Sequence, residues 1–147
     1  MGVYCSVKMS EYQFEEIEHT ADWAIRVRAR DLPNLFAGAA RGMFGLLADV
    51  SAVVPDRRFE IDLQAIDVET LLIDWLNELL YLAEQQGFVF VDFVVHELAV
   101  REDARLRAQA GGGRPAELFK MIKAATFSGL SIRQDEAGFQ AELVFDV

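Results

Sequence analysis

A cluster of potential metal ligands lies near the N-terminus, in the run Glu18-His19-Thr20-Ala21-Asp22. It brings a carboxylate, an imidazole and a hydroxyl close together, and these oxygen and nitrogen groups are ligands for divalent cations. The cluster by itself is weak evidence for a metal site. Asp22 could equally be a turn or bulge residue, and His19 a hydrogen-bonded structural group. Both interpretations stay open on these residues alone.

A second group of charges closes the sequence, where Asp146 is followed by Val147 and its α-carboxylate. Two anions on the same strand repel each other unless a positive charge compensates, because like charges in one site raise a pKa or recruit a cation. The alternative is that the terminal aspartate is simply exposed, which costs little. A site that recruits a cation and an exposed strand end both stay open on these residues alone.

The third candidate is Lys123, in the run Lys123-Ala124-Ala125-Thr126-Phe127. The run is otherwise small and apolar, and an unpaired buried ammonium group would be costly. We therefore expect Lys123 either to extend its amino group to solvent or to meet a carboxylate.

The first half of the chain must position the N-terminal cluster. Alternating polarity predicts strands over 12–17 and 24–30, joined as an antiparallel hairpin through residues 19–22. Asp31 is a good N-cap for a helix that runs to about Ala48. A further strand over 59–63 has an acidic face, which we expect to lie across from the arginine row of the hairpin as a solvated ladder. A role of these charged rows in binding a partner is the alternative.

The second half predicts a helix over 68–86 that ends at Gly87, with its leucine and tryptophan stripe in the core. A hairpin over 88–108 follows, with its turn near Glu102 and Asp103. The three glycines at 111–113 predict a flexible loop and are weak evidence for a phosphate cradle. Three more strands are expected over 120–127, 130–134 and 139–147. Together these elements predict an α+β domain, a compact two-layer arrangement of antiparallel sheet with two main helices.

Composition narrows the class of protein. The 147 residues, 52% hydrophobic and 26% charged, are typical of one globular domain. We expect a disordered leader over residues 1–9 and a single domain over 10–147. The formal net charge of −10 argues against unaided binding to nucleic acid. Cys5 is the only cysteine, and no long apolar run or secretory signal is present, so we expect a cytoplasmic protein.

Four motifs in order resemble the archease family, over nearly the whole chain from Tyr12 to Val147. They are the run 18–22, the helical segment Leu72-Ile73-Asp74-Trp75-Leu76-Asn77-Glu78-Leu79-Leu80-Tyr81, the strand 123–127, and the terminal Phe145-Asp146-Val147. Each motif is modest alone, whereas the four in this order form a specific signature. The resemblance implies two strand-helix-strand-strand modules, one inserted in the other.

The resemblance also implies a function. Archeases assist the GTP-dependent RNA ligase of tRNA splicing and RNA repair, speeding its guanylylation and supporting repeated turnover. The metal ligands of the family fall on Asp22, Asp146 and Val147 here, and its functional lysine falls on Lys123. The cofactor would be Ca²⁺, Mg²⁺ or Mn²⁺. The chain would be an activator and not an enzyme, a monomer or weak oligomer that meets RNA only through the ligase and has no contact with a membrane.

This sequence departs from the family at Ser128, where a histidine often stands, so an imidazole role in that strand is not expected. Two other functions remain as alternatives. A chaperone-like interaction module would need neither the metal nor the ligase. A metal-dependent phosphatase is less favoured, because no nucleophile with its base is evident: Cys5 lies in the leader, and His19 and His96 are far apart in sequence.

Overall fold

A computed structural model describes residues 11–17, 23–119 and 121–147 of this chain. Its strands and helices, in chain order, are β1 (Tyr12–Ile17), β2 (Trp23–Ala29), α1 (Leu32–Leu47), β3 (Arg57–Ala65), α2 (Val68–Gln86), β4 (Val89–Val100), β5 (Ala104–Gly113), β6 (Ala124–Thr126), β7 (Arg133–Asp135) and β8 (Gly138–Asp146), with a short 3₁₀ helix at Val50–Ala52 between α1 and β3. The predicted α+β class with two main helices is confirmed.

The strands form two antiparallel sheets. Sheet 1 has five strands in the order β1-β2-β8-β6, with β7 also paired to β8, and sheet 2 has three strands in the order β3-β5-β4. The segment β3-α2-β4-β5 is continuous in sequence and builds all of sheet 2. It lies between α1 and β6, which belong to the part of the chain that builds sheet 1. The implied insertion of one module in another is thus confirmed.

Helix α1 lies against both sheets, contacting β1, β2 and β8 of sheet 1 and β4 of sheet 2. Because it is covered on several sides, most of its residues are buried. Two glycines permit the close approach of sheet 1. A Cβ added at Gly38 would stand 2.8 Å from Cγ of Tyr12, and one at Gly42 would stand 2.8 Å from Cδ1 of Ile25. Side chains at these positions would push the helix and the sheet apart.

Helix α2 begins and ends at the predicted residues. The side chain of Asp67 accepts a hydrogen bond of 2.8 Å from the Thr70 amide as N-cap, and Gly87 ends the helix with a left-handed φ of 68°. Its central residue Trp75 is buried and donates from Nε1 to the Phe36 carbonyl at 2.9 Å. This bond joins the two helices through the core.

The three glycines do not form a flexible loop, and that prediction is wrong. Gly111, Gly112 and Gly113 are the last residues of β5 and are buried. Their small size is what matters here, because a Cβ at Gly112 would lie 2.8 Å from the Val89 carbonyl oxygen. The chain has glycines at this point because neighbouring backbone passes too close for side chains.

The predicted partner of the arginine row is also wrong. Strand β3 lies in sheet 2, and its Asp62 meets Arg105 at 3.4 Å. In sheet 1, Arg26 instead lies between Glu15 at 2.8 Å and Glu142 at 3.0 Å. The hydrogen bonds that Arg26 donates to Glu142, and then to Glu15, raise the pKa of Arg26. The solvated ladders exist, but each is formed within its own sheet.

The end of the chain has shorter strands than predicted. The expected strand over 120–127 is reduced to β6 at Ala124–Thr126, and the one over 130–134 to β7 at Arg133–Asp135. The predicted leader falls on residues 1–9, outside the described residues. In the described part of the chain, no helix combines the length and the apolarity needed to span a membrane.

Candidate functional site

The end of β8 carries one of the predicted site residues. Strand β8 pairs with β2, and Trp23 at the start of β2 faces Phe145. Phe145 is fully buried and anchors this end of the strand in the core. Asp146 follows directly and is exposed, as is Val147. The fold thereby holds an anionic strand end beside the start of β2.

Lys123 lies beside this strand end. Its backbone amide donates to the Asp146 carbonyl at 2.8 Å, and the next residue, Ala124, is the register partner of Asp146. The Lys123 side chain is exposed to solvent. Among the described residues it forms no ion pair, so the structure agrees with the expectation that its amino group extends to solvent.

Strand β6 is held by a residue to which the sequence analysis gave no role. The Asn77 side chain of α2 accepts from the Ala125 amide at 2.8 Å through Oδ1, and donates through Nδ2 to the Ala125 carbonyl at 3.2 Å. On the other side of the strand, the Thr126 hydroxyl donates to the Val144 carbonyl at 3.1 Å. These bonds fix the short strand that follows Lys123. The sequence shows only an amide among the apolar residues of a helix, which does not reveal this partner.

Ser128, the residue at which a departure from the family pattern was expected, is exposed just after β6. Its amide donates to the Thr126 hydroxyl at 3.3 Å, a local turn contact. Phe127 before it is 54% exposed. This part of the strand end therefore offers a hydroxyl and an aromatic ring to solvent.

The structure brings Lys123, Asp146 and Val147 together through the backbone. Asp22 and His19 lie outside the described residues, so the predictions on them stay predictions. Within the described part of the chain, no group of three or more His, Cys, Asp or Glu side chains is close enough to hold a metal. Of the described candidates, Asp146 has a side-chain carboxylate, an oxygen ligand of the type that Ca²⁺, Mg²⁺ and Mn²⁺ take.

Comparison with known proteins places the chain in a family. Residues 14–147 match the model of the archease protein family. The chain is 36% identical to protein archease of Methanopyrus kandleri over 91% of this chain and 99% of that one. It is 34% identical to protein archease of Methanosarcina acetivorans over 92% and 96% of the two chains.

Solved structures agree with these matches. The solution structure of Methanobacterium thermoautotrophicum protein 1598 is similar with a TM-score of 0.79 and 26% identity, over 95% of this chain and all of that one. The crystal structure of a Thermotoga maritima protein described as an archease and possible chaperone shares the fold, with a TM-score of 0.55 and 20% identity over 90% and 96% of the two chains. The motif order, the nested architecture and these similarities agree, and the chain belongs to the archease family.

Proposed function

We propose that this protein is a metal-binding activator of a GTP-dependent RNA ligase, which joins RNA ends that bear a 2′,3′-cyclic phosphate or a 3′-phosphate. In this role it promotes guanylylation of the ligase and its repeated turnover. Family membership supports the proposal, and the observation that carries it is the pairing of β2 with β8. That pairing sets the start of β2 beside the exposed end of β8.

The pairing of β2 with β8 limits how far Asp22 can lie from Asp146, because Asp22 directly precedes β2 in the chain. Asp22 is bonded to Trp23, and consecutive Cα atoms are about 3.8 Å apart across a trans peptide bond. Trp23 faces Phe145, and Asp146 is the next residue of β8. Asp22 and Asp146 are thus the chain neighbours of two paired residues, and this supports a shared site for two aspartates that are far apart in the sequence. We propose that both carboxylates, together with the Val147 α-carboxylate, bind one divalent cation.

The charges support a cation at this position. Asp146 forms no ion pair with any other described residue. Additional carboxylates there would repel one another, and a divalent cation relieves that repulsion. Lys123, next to Asp146, would offset part of the negative charge or contact the nucleotide phosphates of the ligase. A bound divalent metal would supply Lewis-acid and template chemistry to the guanylylation step.

A multiple-turnover ligation assay tests the proposal, with the ligase, GTP and an RNA that ends in a 3′-phosphate. We expect the wild-type protein to stimulate turnover and a chelator to remove the stimulation. Asp22→Ala and Asp146→Ala should each abolish it. Glu136→Ala, an exposed carboxylate in the turn before β8, is the control for the loss of one negative charge and should stimulate normally. Full stimulation by both aspartate variants would refute the metal site.

A chaperone-like activity is the second candidate, favoured by exposed apolar side chains. Leu118 is 52% and Met121 61% exposed, and both line an apolar groove of about 180 Å³ beside Leu80 and Ala83 of α2. Such a groove could hold apolar segments of other proteins. Suppression of the aggregation of an unrelated protein in the presence of chelator, without ligase stimulation, would favour this candidate. Stimulation that requires the metal would favour the activator.

A further inference from the structure

A second cavity lies away from the candidate metal residues, with a volume of about 330 Å³. Its walls come from β1, α1, β4 and the segment around the 3₁₀ helix, and Lys123, Asp146 and Val147 are not among them. Small-molecule sites in proteins have volumes of roughly 300–1,000 Å³. The cavity is therefore large enough for a small ligand.

A β-bulge in strand β4 of sheet 2 lies at the wall of this cavity. In the register of β4 and β5, Phe90 faces Gly112 and Asp92 faces Gly111, so Val91 is an extra residue on β4. The bulge leaves the Val91 carbonyl available, and it accepts a hydrogen bond of 2.6 Å from Nη1 of Arg41 on α1. Bulges of this kind redirect groups and are frequent beside functional sites. Here the bulge fixes the guanidinium of a half-buried arginine at the cavity wall.

Arg41 is the charged group of interest at the cavity wall. A guanidinium has five N–H donors, and a carbonyl partner does not neutralise its charge. Asp92 is the acidic residue at the wall, and its carboxylate already forms an ion pair with Arg58. Among the described residues no carboxylate forms an ion pair with Arg41. Arg41 is thus a cation without a carboxylate partner in the described part of the chain, in a protein whose formal net charge is −10.

Tyr12 also lines this cavity. Burial raises the pKa of Tyr12, and the positive charge of Arg41 opposes this shift. The phenol therefore stays protonated at neutral pH. Its ring packs over Gly38 of α1, which holds it in position.

We infer that this cavity binds a small ligand through an oxyanion, a carboxylate or a phosphate, held by the guanidinium of Arg41. A planar guanidinium matches both groups, because it can donate two parallel hydrogen bonds to either. The bulge at Val91 orients this fork. The inference is independent of the proposed ligase function, since it uses none of the same residues.

Nuclear magnetic resonance on the full-length, ¹⁵N-labelled protein tests this site. Sodium phosphate and sodium malonate are titrated separately, with sodium chloride at matched ionic strength as the reference. We expect saturable shifts at the Arg41 Nε–H and at the amides of Ser51 and Asp92 with at least one of the two oxyanions. The anion that saturates identifies the preferred ligand group. Shifts that fail to saturate with both anions would overturn the inference.

Matched variants locate the binding. Arg41→Gln should weaken it roughly tenfold or more, because it removes a charge-assisted contact. Arg101→Gln removes the same charge from an exposed turn and should bind as the wild type does. Ser51→Trp, at an exposed position of the cavity rim, should block binding of the anion. If Arg41→Gln does not fold, this variant tests the location of the site in its place. Binding by Arg41→Gln or by Ser51→Trp with wild-type affinity would contradict the site.

Discussion

The side-chain amide of Asn77 binds both backbone polar groups of Ala125, accepting from its N–H at 2.8 Å and donating to its C=O at 3.2 Å. Strand β6 is at the end of the sheet order β1-β2-β8-β6, and Ala125 in its centre is buried. Buried backbone groups at a sheet edge need partners. Asn77 therefore takes the place of a neighbouring strand, and it fixes the segment that begins beside Lys123.

Replacing Asn77 tests this relationship. Asn77→Ala should lower the free energy of unfolding by about 1–3 kcal/mol, because two buried backbone groups lose their partners. Urea denaturation measures the change. Asp74→Ala, at an exposed position of the same helix, is the control and should stay within about 0.5 kcal/mol of the wild type. Equal effects of the two substitutions would show that the Asn77 amide does not hold β6.

Two glycines of α1 should respond in opposite directions to alanine. Gly38→Ala would place its Cβ 2.8 Å from Cγ of Tyr12, and such overpacking costs about 1–3 kcal/mol. Gly45→Ala meets nothing within 4 Å and should gain up to about 1 kcal/mol from helix propensity. Denaturation midpoints compare the two variants. A stabilising Gly38→Ala would mean that the ring of Tyr12 does not lie against this helix.

Acid should weaken the start of α2. Hydrogen bonds from the Thr70 side chain, and then from its backbone, lower the pKa of Asp67 below its ordinary 3.8. The ionised cap is therefore favoured in the folded state. Its stabilising effect is fully present above about pH 3.8 and is lost as the pH falls through the lower folded-state value.

The comparison for this prediction is Asp67→Asn, which can still accept a hydrogen bond but does not titrate. The stability advantage of the wild type over this variant should shrink when urea denaturation is repeated at pH values below 3.8. An advantage that stays constant over that range would show that the charge of Asp67 is not involved.

Local patterns in the sequence predict most of the elements. Asp31 accepts from the Asn34 amide at 2.9 Å as the expected N-cap of α1, and Gly87 ends α2. The partner of β3 was wrongly predicted, because alternation shows which residues share a face and not which strand lies alongside. The glycines at 111–113 were misassigned for a related reason. Two of these glycines are needed because the backbone of Val89 and Val54 leaves no room for a Cβ, and only folding brings those two residues near.

The sequence likewise predicted some residues of the candidate site and missed others. Chain order and the family motifs pointed to Lys123 and Asp146, which the fold sets side by side through a backbone hydrogen bond of 2.8 Å. Asn77 was not assigned a role, because an amide on a helix does not reveal a partner 48 residues away in the sequence. The bulge at Val91 and its contact with Arg41 likewise depend on strand register and helix packing, which no local pattern encodes.

The central claim is that Asp22 and Asp146 share one cation. Its most direct test is to measure the binding of Mn²⁺ to the purified protein by isothermal titration calorimetry, without any ligase. We predict one site in the wild type, affinity reduced roughly tenfold or more in Asp22→Ala and in Asp146→Ala, and no change in Glu136→Ala. Wild-type affinity in both aspartate variants, or no binding by the wild-type protein, would contradict a shared cation at the junction of β2 and β8.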